Sequence, residues 1–344
     1  MILTRRNLLP AVFAGLAGLA VFAVGCSSPS APSSVVLSTV STEDSINLQI
    51  MGAPNDPEGY GARASWKLEH GDMKGSIVDW DLALKADSNY AKAYEMQAEV
   101  LYQLQQFEPC LNKLNECLQR LPDDVPCLLR RAEFAIHLNQ FEDGFQWLNR
   151  ALRINPQLHE AYWMKGKIYE ATGANEKALS SYQTAVEVNP SFFDGYITLG
   201  VFLAKEQDPL AEEFYRSAAE LRPGSIEPLY NLAVFLQDSG RFDDALALYR
   251  EILAIDPNNA TASFNQGFIH LEYLQAYDSA AHWFGEAIVR LPYYHQAFYN
   301  RGLAWESMGH VDAALADYSE ALRFKPDYTA AALAKGRVLE TLGN

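Results

Sequence analysis

From about residue 57 onward, small, bulky and proline positions return along the chain in fixed phase. Small residues stand at Ala64, Ala98, Ala132, Gly166, Gly200, Ala233, Gly267, Gly302 and Gly336. A second small series runs through Ser76, Cys110, Gly144, Ala178, Ala211, Ala245, Ala280 and Ala314, and a third through Ala83, Cys117, Ala151, Ala185, Ala218, Ile252, Ala287 and Ala321. Between those two lies a bulky series: Trp80, Leu114, Leu148, Tyr182, Tyr215, Tyr249, Phe284 and Tyr318. Prolines at 122, 156, 190, 223, 257, 292 and 326 are spaced by 34, 34, 33, 34, 35 and 34 residues. Matched small residues let two antiparallel helices approach closely, and the bulky ones fill the space beside them. Proline then ends the second helix, because it lacks an N–H and clashes with the preceding turn.

The pattern predicts eight helix–turn–helix units: 57–90, 91–124, 125–158, 159–192, 193–225, 226–259, 260–294 and 295–328. The 33-residue fifth unit loses its residue around Gln207-Asp208-Pro209, and the 35-residue seventh gains one around Gln275-Ala276-Tyr277, where turns belong. The last segment, 329–344, repeats only a first helix and is expected to close the open core face as a C-terminal capping helix.

A 34-residue period with this pattern resembles the tetratricopeptide repeat. The resemblance covers residues 57–342. It implies an all-α, right-handed superhelical solenoid whose first helices line a concave groove for an extended peptide or a partner helix. The groove takes places two, five, six, nine, twelve and thirteen of each repeat. Place five carries Trp163, Ile197, Tyr230, Phe264 and Tyr299, and place nine carries Val201, Val234, Phe268 and Leu303. Such an apolar, aromatic stripe marks a binding surface, although neighbouring helices are expected to bury part of it. Place six of the last three full repeats carries Asn231, Asn265 and Asn300. A ladder of amides can both donate to and accept from a peptide backbone. Asparagine is also frequent at this place with no ligand required.

The first half differs. Glu95, Glu99 and Glu133 fall on the groove against Lys92, Arg130 and Lys167, while places five and nine of the first repeat are Gly61 and Ser65. No Lys-plus-Asn arrangement matches the clamp with which chaperone-binding relatives hold an acidic C-terminus. The expected partner is therefore a protein or peptide with a neutral or basic segment.

The N-terminus carries a separate signal. Met1 to Asn7 holds Arg5 and Arg6 with no acid, and Leu8 to Val24 is an almost unbroken apolar run. This is the layout of an export signal, and Thr4-Arg5-Arg6-Asn7-Leu8-Leu9 is similar to a twin-arginine signal. The run contains Pro10 and falls short of the ~20 residues that a membrane-spanning helix needs. It ends at Ala23-Val24-Gly25-Cys26, which resembles the lipobox of bacterial lipoproteins, although Ala23 stands where a larger aliphatic residue is usual. The resemblance implies a signal peptide over 1–25 and lipidation of Cys26, whose acyl chains would attach the protein to a membrane. Residues 26–56, with Ser27-Ser28-Pro29-Ser30 near their start, Gly52 and Pro54 near their end and Pro57 just beyond, are expected to be a flexible tether. An exported lipoprotein is implied, on the periplasmic face of the outer membrane if the cell has two.

Charge and chemistry narrow the function by exclusion. Against 27 basic residues the chain has 43 acidic ones, a formal charge of −16, which disfavours nucleic acid. No phosphate-binding glycine loop, paired metal-ligand histidines or nucleophile motif stands out. No catalytic site, metal, cofactor or small-molecule substrate is expected, and the chain is read as a non-enzyme. Of the seven histidines, His270 falls at a core aromatic place. Cys110 and Cys117 lie seven apart, about 10.5 Å along one helix, too far to bridge. Cys117 could bridge Cys127 in an exported protein, but the plainer reading takes all three as small buried apolar residues. The sequence therefore predicts a lipid-anchored protein–protein interaction scaffold of the bacterial envelope, an adaptor or assembly factor. The alternative is a structural envelope protein that self-assembles through its open repeat ends or its groove.

Overall fold

The computed structural model describes residues 42–342, and among them it contains eighteen α-helices and no strand. The expected signal peptide, Cys26 and the first part of the expected tether lie outside the described residues. Helix α1 spans Thr42–Gly52. Eight antiparallel pairs follow: α2 Pro57–Glu69 with α3 Met73–Ala86, α4 Ala91–Gln103 with α5 Phe107–Arg120, α6 Val125–His137 with α7 Phe141–Ile154, and α8 His159–Ala171 with α9 Asn175–Val188. The second four are α10 Phe193–Lys205 with α11 Leu210–Leu221, α12 Ile226–Asp238 with α13 Phe242–Ile255, α14 Ala260–Glu272 with α15 Tyr277–Arg290, and α16 His295–Ser307 with α17 Val311–Phe324. Helix α18, Thr329–Leu342, ends the described chain. None of these helices is long and apolar enough to cross a membrane. The fold is a tetratricopeptide-type solenoid, all-α as the pattern predicts.

The small and bulky series explain why each pair closes. An added Cβ at Gly166 would lie 2.4 Å from the Tyr182 ring, at Gly200 2.5 Å from Tyr215, at Gly267 2.8 Å from Phe284 and at Gly302 2.6 Å from Tyr318. Each glycine is thus a notch in a first helix that receives the aromatic ring of the second. Tyr182, Tyr249, Phe284 and Tyr318 are wholly buried, and the rings' apolar burial drives the stacking of helices into one continuous core.

Within each pair the turn is built around one left-handed residue: Gly71, Gln105, Asn139, Gly173, Gln207, Gly240, Gln275 and Gly309 all have positive φ. This conformation returns the next N–H to the helix just left, as in Asp72 N to Lys67 O at 2.8 Å and Gln106 N to Leu101 O at 2.8 Å. In the seventh unit the extra residue lengthens this closure by one residue, from Ala276 N to His270 O.

Polar residues also repeat. At place seven of the first helix, Arg63 bonds Asn47, Gln97 bonds Asp81, Arg131 bonds Asn115 and Lys165 bonds Asn149, each partner sixteen residues earlier on the preceding helix. Arg63 and Arg301 also grip Asp79 and Asp317 on the second helix of their own pair, with Nη2–O distances of 2.6 and 2.7 Å. Lys67 adds a contact to Asp79 at 2.7 Å. Asp79 is fully buried, so these two cations are what make its charge tolerable there.

Two expectations are corrected. The segment expected to be all tether contains α1: Glu43 and Asp44 suit a helix N-terminus, Ile46 and Ile50 share a face, and no Gly or Pro interrupts before Gly52. Ile50 is buried against α2, and Pro54 follows soon after the helix. The second concerns cysteine. Cys117 and Cys127 form a disulfide linking α5 to α6, while Cys110 is a buried free thiol. The N-cap of α6 explains the proximity: Asp124 accepts from Cys127 N at 2.9 Å, turning the chain so that Cys127 faces Cys117. With Asp124 these sulphurs are the only cluster of three potential metal ligands among the described residues, and the S–S bond occupies both thiols.

Candidate functional site

The candidate groove is built by the first helices α8, α10, α12, α14 and α16, which present the same places to the same side because each repeat has the same length to within a residue. At its start, Trp163 on α8 donates from Nε1 to Thr198 Oγ1 at 2.9 Å on α10, and the Lys167 ammonium stands 3.4 Å over its ring. Burial, the largest influence, lowers the Lys167 pKa. Ile197 does not reach the groove surface: it is 9% exposed and packs in the core with Phe193 and Leu229. Its neighbour Val201 is exposed instead.

The central rings interlock. Tyr230 lies 6.3 Å from Tyr249, and Phe264 lies 5.0 Å from Tyr294, 5.3 Å from Phe284 and 6.5 Å from Phe268. Phe268 in turn meets Tyr273, which stacks on Phe242. Tyr299 continues the line against Tyr318 and Tyr328. Tyr230, Val234, Phe264, Phe268 and Tyr299 are all half-buried: each presents one edge and packs with the other. Tyr294 lies just before α16, and burial pushes its pKa up to about 12, with Tyr230 nearby adding to the rise. Sequence reasoning missed Tyr294, which belongs to an inter-repeat turn. The signal available was the aromatic pair Tyr293-Tyr294 beside Pro292.

The three asparagines are not equivalent. Asn265 donates through Nδ2 to Tyr249 Oη at 3.1 Å and Tyr230 Oη at 3.4 Å, so its donor capacity is used inside the protein. This is a correction to the expected ladder, and it arises because Tyr230 and the buried Tyr249 both bring a hydroxyl beside place six. Asn231 and Asn300 make no side-chain hydrogen bond among the described residues and remain half-exposed.

In the first half the expected charges meet each other. Arg130 holds Glu99 at 3.0 Å and Glu133 at 2.8 Å, and burial and these carboxylates, with Glu95, set a raised net pKa for it. Around them lies a cavity of about 100 Å³, where Tyr102 and His137 share a 2.6 Å hydrogen bond and the Cys110 thiol is pushed up to about 11 by burial. His270, expected in the core, is half-buried with Nδ1 unpartnered, and burial lowers its pKa.

Family models described as tetratricopeptide repeat match residues 159–192, 203–264 and 295–328. Among curated proteins, human protein O-mannosyl-transferase TMTC3 is 24% identical over 58% of this chain and 22% of its own length. Human tetratricopeptide repeat protein 6 is 23% identical over 79% and 54%, and protein FlbA of Caulobacter vibrioides 26% identical over 62% and 36%. The chain thus spans about half or less of the length of these relatives. Two solved structures align with part of the chain. The anaphase-promoting complex heterotetramer Cut9–Hcn1 aligns with TM-score 0.46 and 17% identity, over 86% of this chain and 58% of that one. YrrB, a repeat protein with an unusual peptide-binding site, aligns with TM-score 0.39 and 20% identity, over 65% and 97%.

Proposed function

We propose that this tetratricopeptide-repeat solenoid is a protein-binding scaffold that holds an extended or helical segment of a partner in the groove of α8 to α16. The observation that carries the reading is the row of half-buried rings beside two amides, Asn231 and Asn300, that make no hydrogen bond among the described residues. Apolar edges would take the partner's side chains, and the amides would take its backbone. The carbonyl oxygen of Asn265 is available to accept as well. The family models described as tetratricopeptide repeat support the reading at the level of fold. The lack of a Lys-plus-Asn clamp for an acidic tail, with Glu95, Glu99 and Glu133 on the groove, favours a neutral or basic partner segment.

The scaffold is further proposed to be tethered to a bacterial envelope membrane through a lipid on Cys26, as the charged-then-apolar N-terminus and its Gly25-Cys26 end suggest. A scaffold of this kind acts by position and catalyses nothing itself. The groove is tested by crosslinking and capture from cells with the native chain and with a variant carrying Asn231→Ala, Asn300→Ala and Val201→Glu. None of these side chains makes a hydrogen bond among the described residues, so the variant should fold. The partner should be lost from the variant; equal capture would move the site off the groove. The anchor is tested separately by the mass of the N-terminal peptide and by release of Cys26→Ser from the membrane fraction.

A further inference from the structure

The two ends of the described solenoid are complementary halves of one repeat. Helix α1 holds the place of a second helix. Four residues separate it from α2, as four separate α3 from α4 and α17 from α18. Its Ile50 packs on Gly59, where an added Cβ would lie 3.0 Å from Ile50 Cγ1, just as Val186 packs on Gly195. Its Asn47 accepts from Arg63 at 2.9 Å, the same place-seven bond that joins Gln97 to Asp81. Among the described residues α1 has no first helix before it.

Helix α18 is the reverse: it holds the place of a first helix, and among the described residues no second helix packs on it. Its Gly336 is the notch that in four earlier repeats receives an aromatic ring, yet an added Cβ there would meet nothing within 4 Å. Beside the notch Leu333 is 69% and Leu339 50% exposed. A capping helix would present a polar face here.

We infer that two copies of this chain associate head to tail, with α1 of one copy docking on α18 of the other to complete a ninth helix pair. In the repeat register, Ile46 takes the place of Trp80 and Tyr182 and would enter the Gly336 notch. Lys335 would face Ser45, one residue from Asp44 and two from Glu43, which gives the contact a favourable charge pairing. The interface continues one the fold already uses eight times. Gln49 departs most from the pattern, a polar residue where the other second helices carry apolar ones such as Ala83, Cys117, Ala151 and Ile252. Burying its polar amide at this place makes the association weak and reversible.

The test is sedimentation velocity of the full chain in mild detergent across a concentration range. The native chain should shift from monomer towards larger species as concentration rises. Gly336→Trp fills the notch, where an added Cβ meets nothing within 4 Å, and should weaken association at least tenfold, with an unchanged helical spectrum. Gln49→Ala should tighten it. A mixture of Gly336→Cys and Ile46→Cys chains should give a disulfide joining those two positions between copies, identified by peptide mass. A monomer at every concentration, association equally strong in Gly336→Trp, or no such crosslink would overturn the inference. Association through the apolar N-terminal run would be recognised by its insensitivity to both α1 and α18 variants.

Discussion

Equivalent glycines at place eight should respond to the same substitution with opposite sign. In Gly166→Ala the new methyl would stand 2.4 and 2.5 Å from two ring atoms of Tyr182, where carbon atoms need about 3.5–4.0 Å. Tyr182 is fully buried, and its hydroxyl donates to Glu170 at 2.7 Å, so the ring has little freedom to withdraw. Overpacking of this kind costs about 1–3 kcal/mol. The better helix propensity of alanine offsets about 1 kcal/mol of that, for a net loss of up to about 2 kcal/mol. Gly336→Ala meets nothing within 4 Å and keeps only the helical gain, a stabilisation of about 0.5–1 kcal/mol. Repeat arrays open locally, so the readout is amide hydrogen exchange by mass spectrometry on peptides from α8–α9 and α18. Protection should fall in α8–α9 for the first variant and rise in α18 for the second. Shifts of the same sign in both would refute the notch-and-ring account of how the helix pairs close.

Four other outcomes follow from the same contacts. Asp79→Ala strands Arg63 and Lys67 beside a buried site and should cost about 2–4 kcal/mol, whereas Asp244→Ala, which breaks an exposed pair with Arg241, should cost under about 1 kcal/mol in urea denaturation. A non-reducing peptide map should show Cys117 linked to Cys127, and replacing both by Ser should cost about 2–3 kcal/mol through the freed loop of the unfolded chain. Gln105→Gly relieves a left-handed turn and should raise stability by about 1 kcal/mol, while Gly173→Ala at the equivalent turn should lower it. His270 has its folded pKa lowered by burial, so below its ordinary value of 6.5 the unfolded chain takes up the proton first. Stability should therefore be fully present above pH 6.5 and fall as the pH drops below it. His270→Phe should flatten that fall between pH 7 and 5.5.

The helical pairs were legible because burial imposes residue size at fixed places, and size is written in the sequence: Gly166 and Tyr182 announce each other sixteen residues apart. What the sequence hid was carried by backbone or by relation. The eight left-handed turn residues form a register as strict as the prolines, yet Gly, Gln and Asn share it, so no single residue type marks it. Helix α1 escaped notice because it keeps the spacing of a second helix while lacking its aromatic and its small residues. For the groove, the stripe at places five and nine was visible, but its availability was not. Ile197 sinks into the core, and Asn265 is claimed by hydroxyls that arrive from two different helices. The Cys117–Cys127 bond likewise depends on the turn set by Asp124, which spacing alone does not reveal.

The central claim is that the concave face of the first helices receives a partner. It is tested most directly by placing a photo-crosslinking residue at Asn231 or Asn300 and, as a contrast, at Val289, which lies on the second helix α15 and is 76% exposed. Irradiated in cells, the two asparagine positions should give the same single crosslinked partner, and Val289 should give none. A partner captured from Val289 with equal or greater yield, and none from Asn231 or Asn300, would contradict the account.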